Sequence, residues 1–237
     1  MLFFILVWLS SQIVPFVFLP ALYVVQYFLE CKIVNWEITV KILKLLTNFT
    51  FEQVNEERLI SSGYILCNHR TWTDFAVDQY YSNASQTGRL LAYIACPASL
   101  FNYLDGRAII INRNSSSHDI LKKILEHHRI SPYKRIVIYP EGTRRNYSVL
   151  ENKDSLKQYL KYGLLKRIYE HKQMPVQCFI SSNKELVCNE KKLSCRRNVR
   201  IKNAISKPIY PAQSPTFEKF IDEVCTEWFH CWKMTHV

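Results

Sequence analysis

The 237-residue sequence has no Ser/Gly/Pro-rich linker, no block of one charge sign that would divide it, and no segment recurring at a fixed period. Tethered domains and a repeat solenoid are therefore not expected, and the length suits one sizeable core. No C-x-x-C pair occurs among the eight cysteines, Cys31, Cys67, Cys96, Cys178, Cys188, Cys195, Cys225 and Cys231. In a chain this long they read as scattered buried thiols in a reducing compartment, not as a disulfide framework or a zinc site. The seven histidines show no ligand spacing; His127 and His128, being adjacent, face different sides of a helix, and no metal centre is expected. There is no G-x-S-x-G elbow, which removes the ordinary serine hydrolase. Zinc-finger, helix-turn-helix and RNA-binding aromatic signatures are also missing, so the net charge of +11 points to anionic lipid or a phosphorylated small molecule before nucleic acid.

Charge is absent from the N-terminus too. From Met1 to Leu29 there is no Asp, Glu, Lys or Arg, and a membrane span needs about 20 apolar residues. A cleaved signal peptide has a basic start and a shorter apolar core. Pro15 and Pro20 can kink the segment, so it spans once or re-enters. Lys32, Lys41 and Lys44 follow it, and the positive-inside rule then places the rest of the chain in the cytosol. Apolar Val34, Ile38, Ile42 and Leu45 recur at helical spacing, as on a helix packed on the domain or lying in the interface. The expected organisation is a transmembrane or re-entrant segment over 1–30, an amphipathic membrane-proximal helix over 31–60 and a catalytic domain over 61–237.

What is present is an alternation of short branched runs with helical patterns, in a chain 48% hydrophobic and 14% aromatic, which argues against disorder. Strands are expected at 64–68, 89–95, 108–112, 134–140, 175–182 and 199–205. Helices are expected at 73–81, 115–128, 153–170 and 217–232. This pattern predicts an α/β single domain with a largely parallel central sheet flanked by helices. Lys191, Lys192, Arg196, Arg197, Arg200 and Lys202 crowd one stretch, either a solvated hairpin or a surface for anionic headgroups.

Three strand ends carry reactive groups. The first delivers Asn68-His69-Arg70-Thr71-Trp72-Thr73-Asp74, where an acid beside a histidine makes a general-base pair. In a regular helix five residues turn about 500°, so His69 and Asp74 meet only if 69–71 form a turn before a helix that Thr71 or Thr73 caps. The second delivers Tyr139-Pro140-Glu141-Gly142-Thr143-Arg144, with a glycine for a tight turn and an arginine suited to bidentate phosphate binding. Between them, Arg113 follows the apolar run 108–112. Each motif alone reads equally well as a turn with surface charges.

In order, N-H-x-x-x-x-D, G…R, P-E-G-T-R and Met174-Pro175-Val176 resemble the lysophospholipid acyltransferase family, which includes the 1-acyl-glycerol-3-phosphate acyltransferases, over about residues 60–210. The resemblance implies that His69 deprotonates an acceptor hydroxyl and Asp74 holds His69. It implies that Glu141, Gly142, Thr143 and Arg144 shape the acceptor site, with Arg144 and Arg113 on its phosphate. Acyl-CoA is then the co-substrate, with no other cofactor, and the lysophospholipid acceptor and membrane lipids are partners. Endoplasmic reticulum is the location the resemblance and the anchor suggest. The chain departs from the pattern where Ile109 or Ile110 replaces an aromatic, where Arg113 stands one residue late, and where no lysine lies near Cys96. Two alternatives remain open: a CoA-independent transacylase, and a membrane scaffold that keeps the fold without activity. Oligomeric state has no signature in the sequence.

Overall fold

The computed structural model describes residues 1–10, 37–71, 73–89, 105–112, 114–144, 152–189 and 191–236. The helices are α1 (2–10), α2 (Glu37–Thr47), α3 (Asp74–Ser82), α4 (Ser117–Ile130), α5 (Lys153–Lys157), α6 (Tyr162–His171), α7 (Lys184–Val187) and α8 (Phe217–His236). The strands are β1 (Thr50–Gln53), β2 (Gly63–Cys67), β3 (Ser85–Arg89), β4 (Ala108–Ile111), β5 (Arg135–Ile138), β6 (Val176–Ser181), β7 (Cys188–Asn189), β8 (Ser194–Cys195) and β9 (Arg200–Ile205).

Seven strands form one sheet in the order β1-β9-β6-β2-β5-β3-β4. Within this sheet, among the described residues, only the β6–β9 pairing is antiparallel. The expected α/β class with a largely parallel sheet is what forms. β2 is buried at all five positions, as an apolar central strand covered on both faces must be. Side chains alternate between the faces. Tyr64 and Leu66 join Ile136, Ile138, Val176, Cys178 and Ile180 beneath α4, α6 and α8. Ile65 and Cys67 join Val137, Phe179 and Ile205 on the opposite side, with Tyr81 of α3 against them. α8 lays Phe220, Ile221, Val224, Cys225, Trp228, Cys231 and Trp232 into the first layer, at the three- and four-residue spacing of a buried helix face. α4 begins as expected at Ser116, whose Oγ accepts the Asp119 N–H at 3.1 Å.

Several expectations change. The helix foreseen over 153–170 breaks into α5 and α6, because the Lys161 N–H turns away to donate to the Pro140 carbonyl at 2.7 Å. β1 and β3 were not foreseen: TFEQ and SQTGR lack the apolar run that marks a strand. β3 nevertheless buries Ser85, Gln86 and Thr87, and Ser85 Oγ finds His127 Nε2 at 2.7 Å. Of the strand expected at 89–95, only Arg89, the end of β3, lies in the described residues. The cysteine reading is corrected as well: Cys188 and Cys195 are bonded to each other across the β7–β8 hairpin, where they stand directly opposite. Seven residues of separation hide this from a search for C-x-x-C, and the bond removes the thiol argument for a reducing compartment. Cys67, Cys178, Cys225 and Cys231 are buried free thiols.

The apolar N-terminus begins as α1, whose Phe4 and Val7 are buried with Val40 and Leu43 of α2, Phe49, Val77, Val187, Val199 and Ile201. The remainder of the expected membrane segment, from residue 11, lies outside the described residues. No helix among the described residues is long and apolar enough to cross a membrane. α2 is the expected amphipathic helix, with a different inward face. Val40, Leu43 and Thr47 are buried, while Leu45 is 78% exposed.

Gly63 opens β2 at φ +138°, and a Cβ there would lie 2.5 Å from the Pro175 carbonyl oxygen, which accepts the Tyr64 N–H. Gly63→Ala is expected to destabilise the chain by about 2 kcal/mol or more, measured by urea unfolding, since both the backbone and the β2–β6 spacing must give.

Candidate active site

Three adjacent strands, β5, β2 and β6, deliver the chemistry at their carboxyl ends, where parallel sheets place reactive groups. β2 leads into Asn68 and His69, β5 into Tyr139 and Glu141, and β6 into α7 and Lys184.

Asn68 secures the edge first. Its side chain donates to the Ser181 carbonyl at 2.8 Å and accepts the Ser181 N–H at 3.0 Å, pairing β2 to β6 one step past the strand ladder. The chain then turns: the Asp74 N–H reaches the Thr71 carbonyl at 3.3 Å, and α3 starts at Asp74. This turn answers the spacing problem. His69 Nδ1 lies 2.9 Å from Asp74 Oδ2, and the same oxygen accepts the Thr71 N–H at 3.0 Å and the Arg70 N–H. Neither threonine caps α3 through its side chain as expected. Thr73 holds the N-cap position without a side-chain bond, and Thr71 Oγ1 donates instead to the Cys188 carbonyl at 2.7 Å. The carboxylate instead closes the loop that precedes α3, taking the Arg70 and Thr71 N–H groups.

With Nδ1 donating to Asp74, Nε2 of His69 is the nitrogen left to accept a proton. The ring is held by Tyr139, with centroids 4.5 Å apart, and by Phe75 at 5.3 Å, and the residue is 8% exposed. Glu141 is fully buried and its Oε2 accepts the His69 backbone N–H at 3.0 Å. The second motif therefore grips the first across 72 residues of sequence. Gly142, at φ +67°, closes the turn by donating to the Tyr139 carbonyl at 3.0 Å. Thr143 and Arg144 follow it on the surface. Of the expected site residues, His69, Asp74 and Glu141 are in direct contact, Gly142 shapes the loop, and Thr143 and Arg144 stand at its exposed end. Arg113 and Trp72 lie outside the described residues.

Behind Asp74 is a buried charge cluster that sequence reading did not identify. Lys184 is fully buried. Its Nζ lies 3.7 Å from Asp74 Oδ1, 3.0 and 2.8 Å from the two Asp78 oxygens, and 2.8 Å from the Asn68 carbonyl. Tyr139 donates its hydroxyl to Asp78 Oδ2 at 3.1 Å. Asp74 and Asp78 are four residues apart and share one face of α3, the only hint the sequence carried; Lys184 lies over 100 residues away. Burial pushes the Asp74 carboxyl up, but the Lys184 ammonium and the His69 hydrogen bond together hold it below its ordinary value. For Asp78 burial prevails over the pull of Lys184, and its pKa is pushed up to about 7. Burial pulls the Lys184 ammonium down, yet Asp74 and Asp78 raise it overall. Asp74 is thus held toward its charged form, while burial pushes Asp78 toward its neutral one.

A groove of about 820 Å³ lies elsewhere, between α4 and α6, lined by Leu121, Leu125, Arg129, Arg167 and His171. It contains no member of the His69 cluster. Among the described residues no three His, Cys, Asp or Glu side chains converge as a metal site.

Comparison with known proteins identifies the family and the fold. The family model described as Acyltransferase matches residues 50–182, more than half of the chain. Among solved structures, the chain is similar to the 1-acyl-sn-glycerophosphate (LPA) acyltransferase PlsC from Thermotoga maritima. The TM-score is 0.61 and the identity 11%, over 97% of this chain and 95% of that one; at that identity the likeness is one of fold. No curated protein matches.

The Asp78 proton has a measurable consequence. The folded chain keeps it up to about pH 7, while an unfolded aspartate releases it at its ordinary value of 3.8. Between those values the folded state binds more protons, so Asp78 makes stability fall as pH rises. Asp78→Asn should flatten that fall by up to about one proton's worth of slope, read from urea midpoints at a series of pH values. An unchanged slope would show that Asp78 titrates normally.

Proposed function

The chain belongs to the acyltransferase family, and from that premise we propose that it transfers a fatty acyl group from acyl-CoA to the hydroxyl of a lysophospholipid. The proposed acceptor is 1-acyl-glycerol-3-phosphate, and the product phosphatidic acid. The observation that carries the reading is the His69–Asp74 pair at 2.9 Å, clamped through the His69 amide by Glu141.

An alcohol attacks a thioester slowly until its proton leaves. His69 Nε2 takes the hydroxyl proton as the acceptor oxygen bonds to the acyl carbonyl carbon, and Asp74 stabilises the imidazolium that forms. The C–S bond then breaks, and the proton passes from His69 to the departing CoA thiolate. No acyl-enzyme forms and no further cofactor takes part. A base held this way contributes about 10²–10⁴-fold, with alignment of the two substrates supplying much of the rest. Arg144 and Arg113 are the proposed partners of the acceptor phosphate, for which a guanidinium fork is well matched, with Thr143 beside them. The phosphate-bearing acceptor is supported by the net charge of +11, and the choice of lysophosphatidate by the name of the bacterial enzyme that shares the fold.

The substrates reside in a bilayer, and we place the protein on one, at the endoplasmic reticulum with its catalytic domain toward the cytosol. Support comes from the uncharged stretch Met1–Leu29 and from Met1, Leu2 and Leu6 of the N-terminal stretch, which expose large apolar side chains beside Leu45 of α2. Asn48, just after α2, bonds to Asn198 at 2.8 Å, which sets the basic hairpin against the same region. Co-sedimentation with vesicles is expected to be stronger with anionic than with neutral lipid and to weaken in salt. Retention in the supernatant with both vesicle types would remove the membrane placement.

The activity test supplies labelled oleoyl-CoA with a panel of glycerol-3-phosphate and lysophospholipid acceptors to the full chain in detergent. Lysophosphatidate is expected to be acylated, and His69→Ala to lose at least about 100-fold in kcat. A His69→Ala variant as fast as the wild type would overturn the mechanism. Transfer from a labelled phospholipid without CoA would replace the donor.

A further inference from the structure

A lysine with no exposure, within a few ångströms of two carboxylates, is an expensive arrangement, since each charge has left water and must be compensated inside the protein. Lys184 also lies one residue layer behind the catalytic histidine. Its ammonium faces Asp74 and Asp78 of α3 and is bonded to the carbonyl of Asn68, the residue that precedes His69. Cys67 at the end of β2 also acts on it, the ammonium charge reaches His236 of α8, and Tyr139 joins the cluster through Asp78. A merely structural cation would be satisfied by Asp78, which offers both oxygens at 3.0 Å or less. The additional approach to Asp74 puts the positive charge on one side of that carboxylate while His69 occupies the other. Asp74 Oδ1 has no hydrogen-bond donor of its own, so the ammonium at 3.7 Å is the group that balances it.

We propose that Lys184 is a positioning residue for the His69–Asp74 base, holding the inner edge of Asp74 and offsetting part of its charge on the side away from His69. The inference rests on the acyl-transfer reading for its kinetic consequence, but not for its structural one. A carboxylate beside a histidine favours the imidazolium, and an imidazolium cannot act as a base. By sharing Asp74, Lys184 leaves enough negative charge to orient His69 and to stabilise the imidazolium of the transition state, without trapping it beforehand. The bond from Lys184 to Asn68 fixes the same carboxylate in space relative to the end of β2.

The test compares the wild type with the paired variant Lys184→Met/Asp78→Asn, which removes the buried cation together with its nearest partner, so that Asp78 is not left as a second unpaired carboxylate. Asp78→Asn alone, which keeps the ammonium, is the control. Two quantities are read on the full-length protein: the pH dependence of kcat/KM, and the NMR titration of the His69 ring. In the paired variant, the acidic limb of the rate profile and the midpoint of the ring titration are both expected to move upward by about one pH unit, the size expected for loss of an opposite charge near the carboxylate. The rate loss should be largest at low pH and recover as pH rises. Asp78→Asn alone should leave both within a few tenths of a unit.

A paired variant that melts normally but whose ring titrates where the wild type does overturns the proposal, as does the full shift in Asp78→Asn alone. A rate loss equal at every pH means a structural role and also overturns it. Should the Met variant fail to melt cooperatively, Lys184→Gln/Asp78→Asn keeps an N–H for the Asn68 carbonyl and carries the same comparison. If the wild type acylates nothing, the proposed function fails, while the ring titration still decides the role of Lys184.

Discussion

One oxygen atom organises the catalytic edge. Asp74 Oδ2 accepts the His69 imidazole and two successive backbone N–H groups, those of Arg70 and Thr71. Five residues of regular helix would carry His69 and Asp74 to different faces. Gathering three donors onto a single oxygen bends the chain into a turn and only then lets α3 begin. The same bonds supply the first turn of α3 with the negative charge its exposed N–H groups favour. The base, the loop and the start of the helix are one structural decision, and Glu141 locks it from the neighbouring strand by taking the His69 amide.

The second constraint is charge balance without water. Asp74, Asp78 and Lys184 are all fully buried, and three ionised groups there would leave a net negative charge. Burial pushes the Asp78 carboxyl up toward its neutral form, which lessens that excess. The hydroxyl of Tyr139 reaches Asp78 while its ring packs on His69. Packing around the base and electrostatics behind it therefore share residues. A cluster of this kind adds little net stability, which directs attention to what it does for His69.

The far side of the sheet is built differently. α1, α2, the base of the β7–β8 hairpin and β9 share one apolar cluster, and the Thr71 hydroxyl ties that hairpin to the catalytic loop through the Cys188 carbonyl. The Cys188–Cys195 bond closes the hairpin that carries Lys191 and Lys192. Of the basic stretch, Lys191 and Lys192 thereby sit on a short constrained element whose base is hydrogen-bonded to the catalytic loop, while Arg200 and Lys202 belong to β9.

How much could be read in advance depended on whether the signal was local. Parallel strands such as β2, β5 and β6 announce themselves because a strand buried on both faces must be apolar throughout; β1 and β3, made of TFEQ and SQTGR, gave no such sign. Helix α4 carried its cap and its amphipathic spacing in adjacent residues, whereas the break between α5 and α6 depends on a carbonyl at Pro140. By itself the sequence determined the α/β class, the candidate pair His69 and Asp74, and the acyltransferase resemblance, because each is written in contiguous residues with short, regular spacing. Only the tertiary structure decided that Glu141 binds the His69 amide, that Cys188 meets Cys195, that α2 buries Val40 and Leu43 in place of Leu45, and that Lys184 stands behind Asp74. Those partners meet through the register of three strands and the packing of the helices on them, and no pattern along the chain records a distance across the sheet.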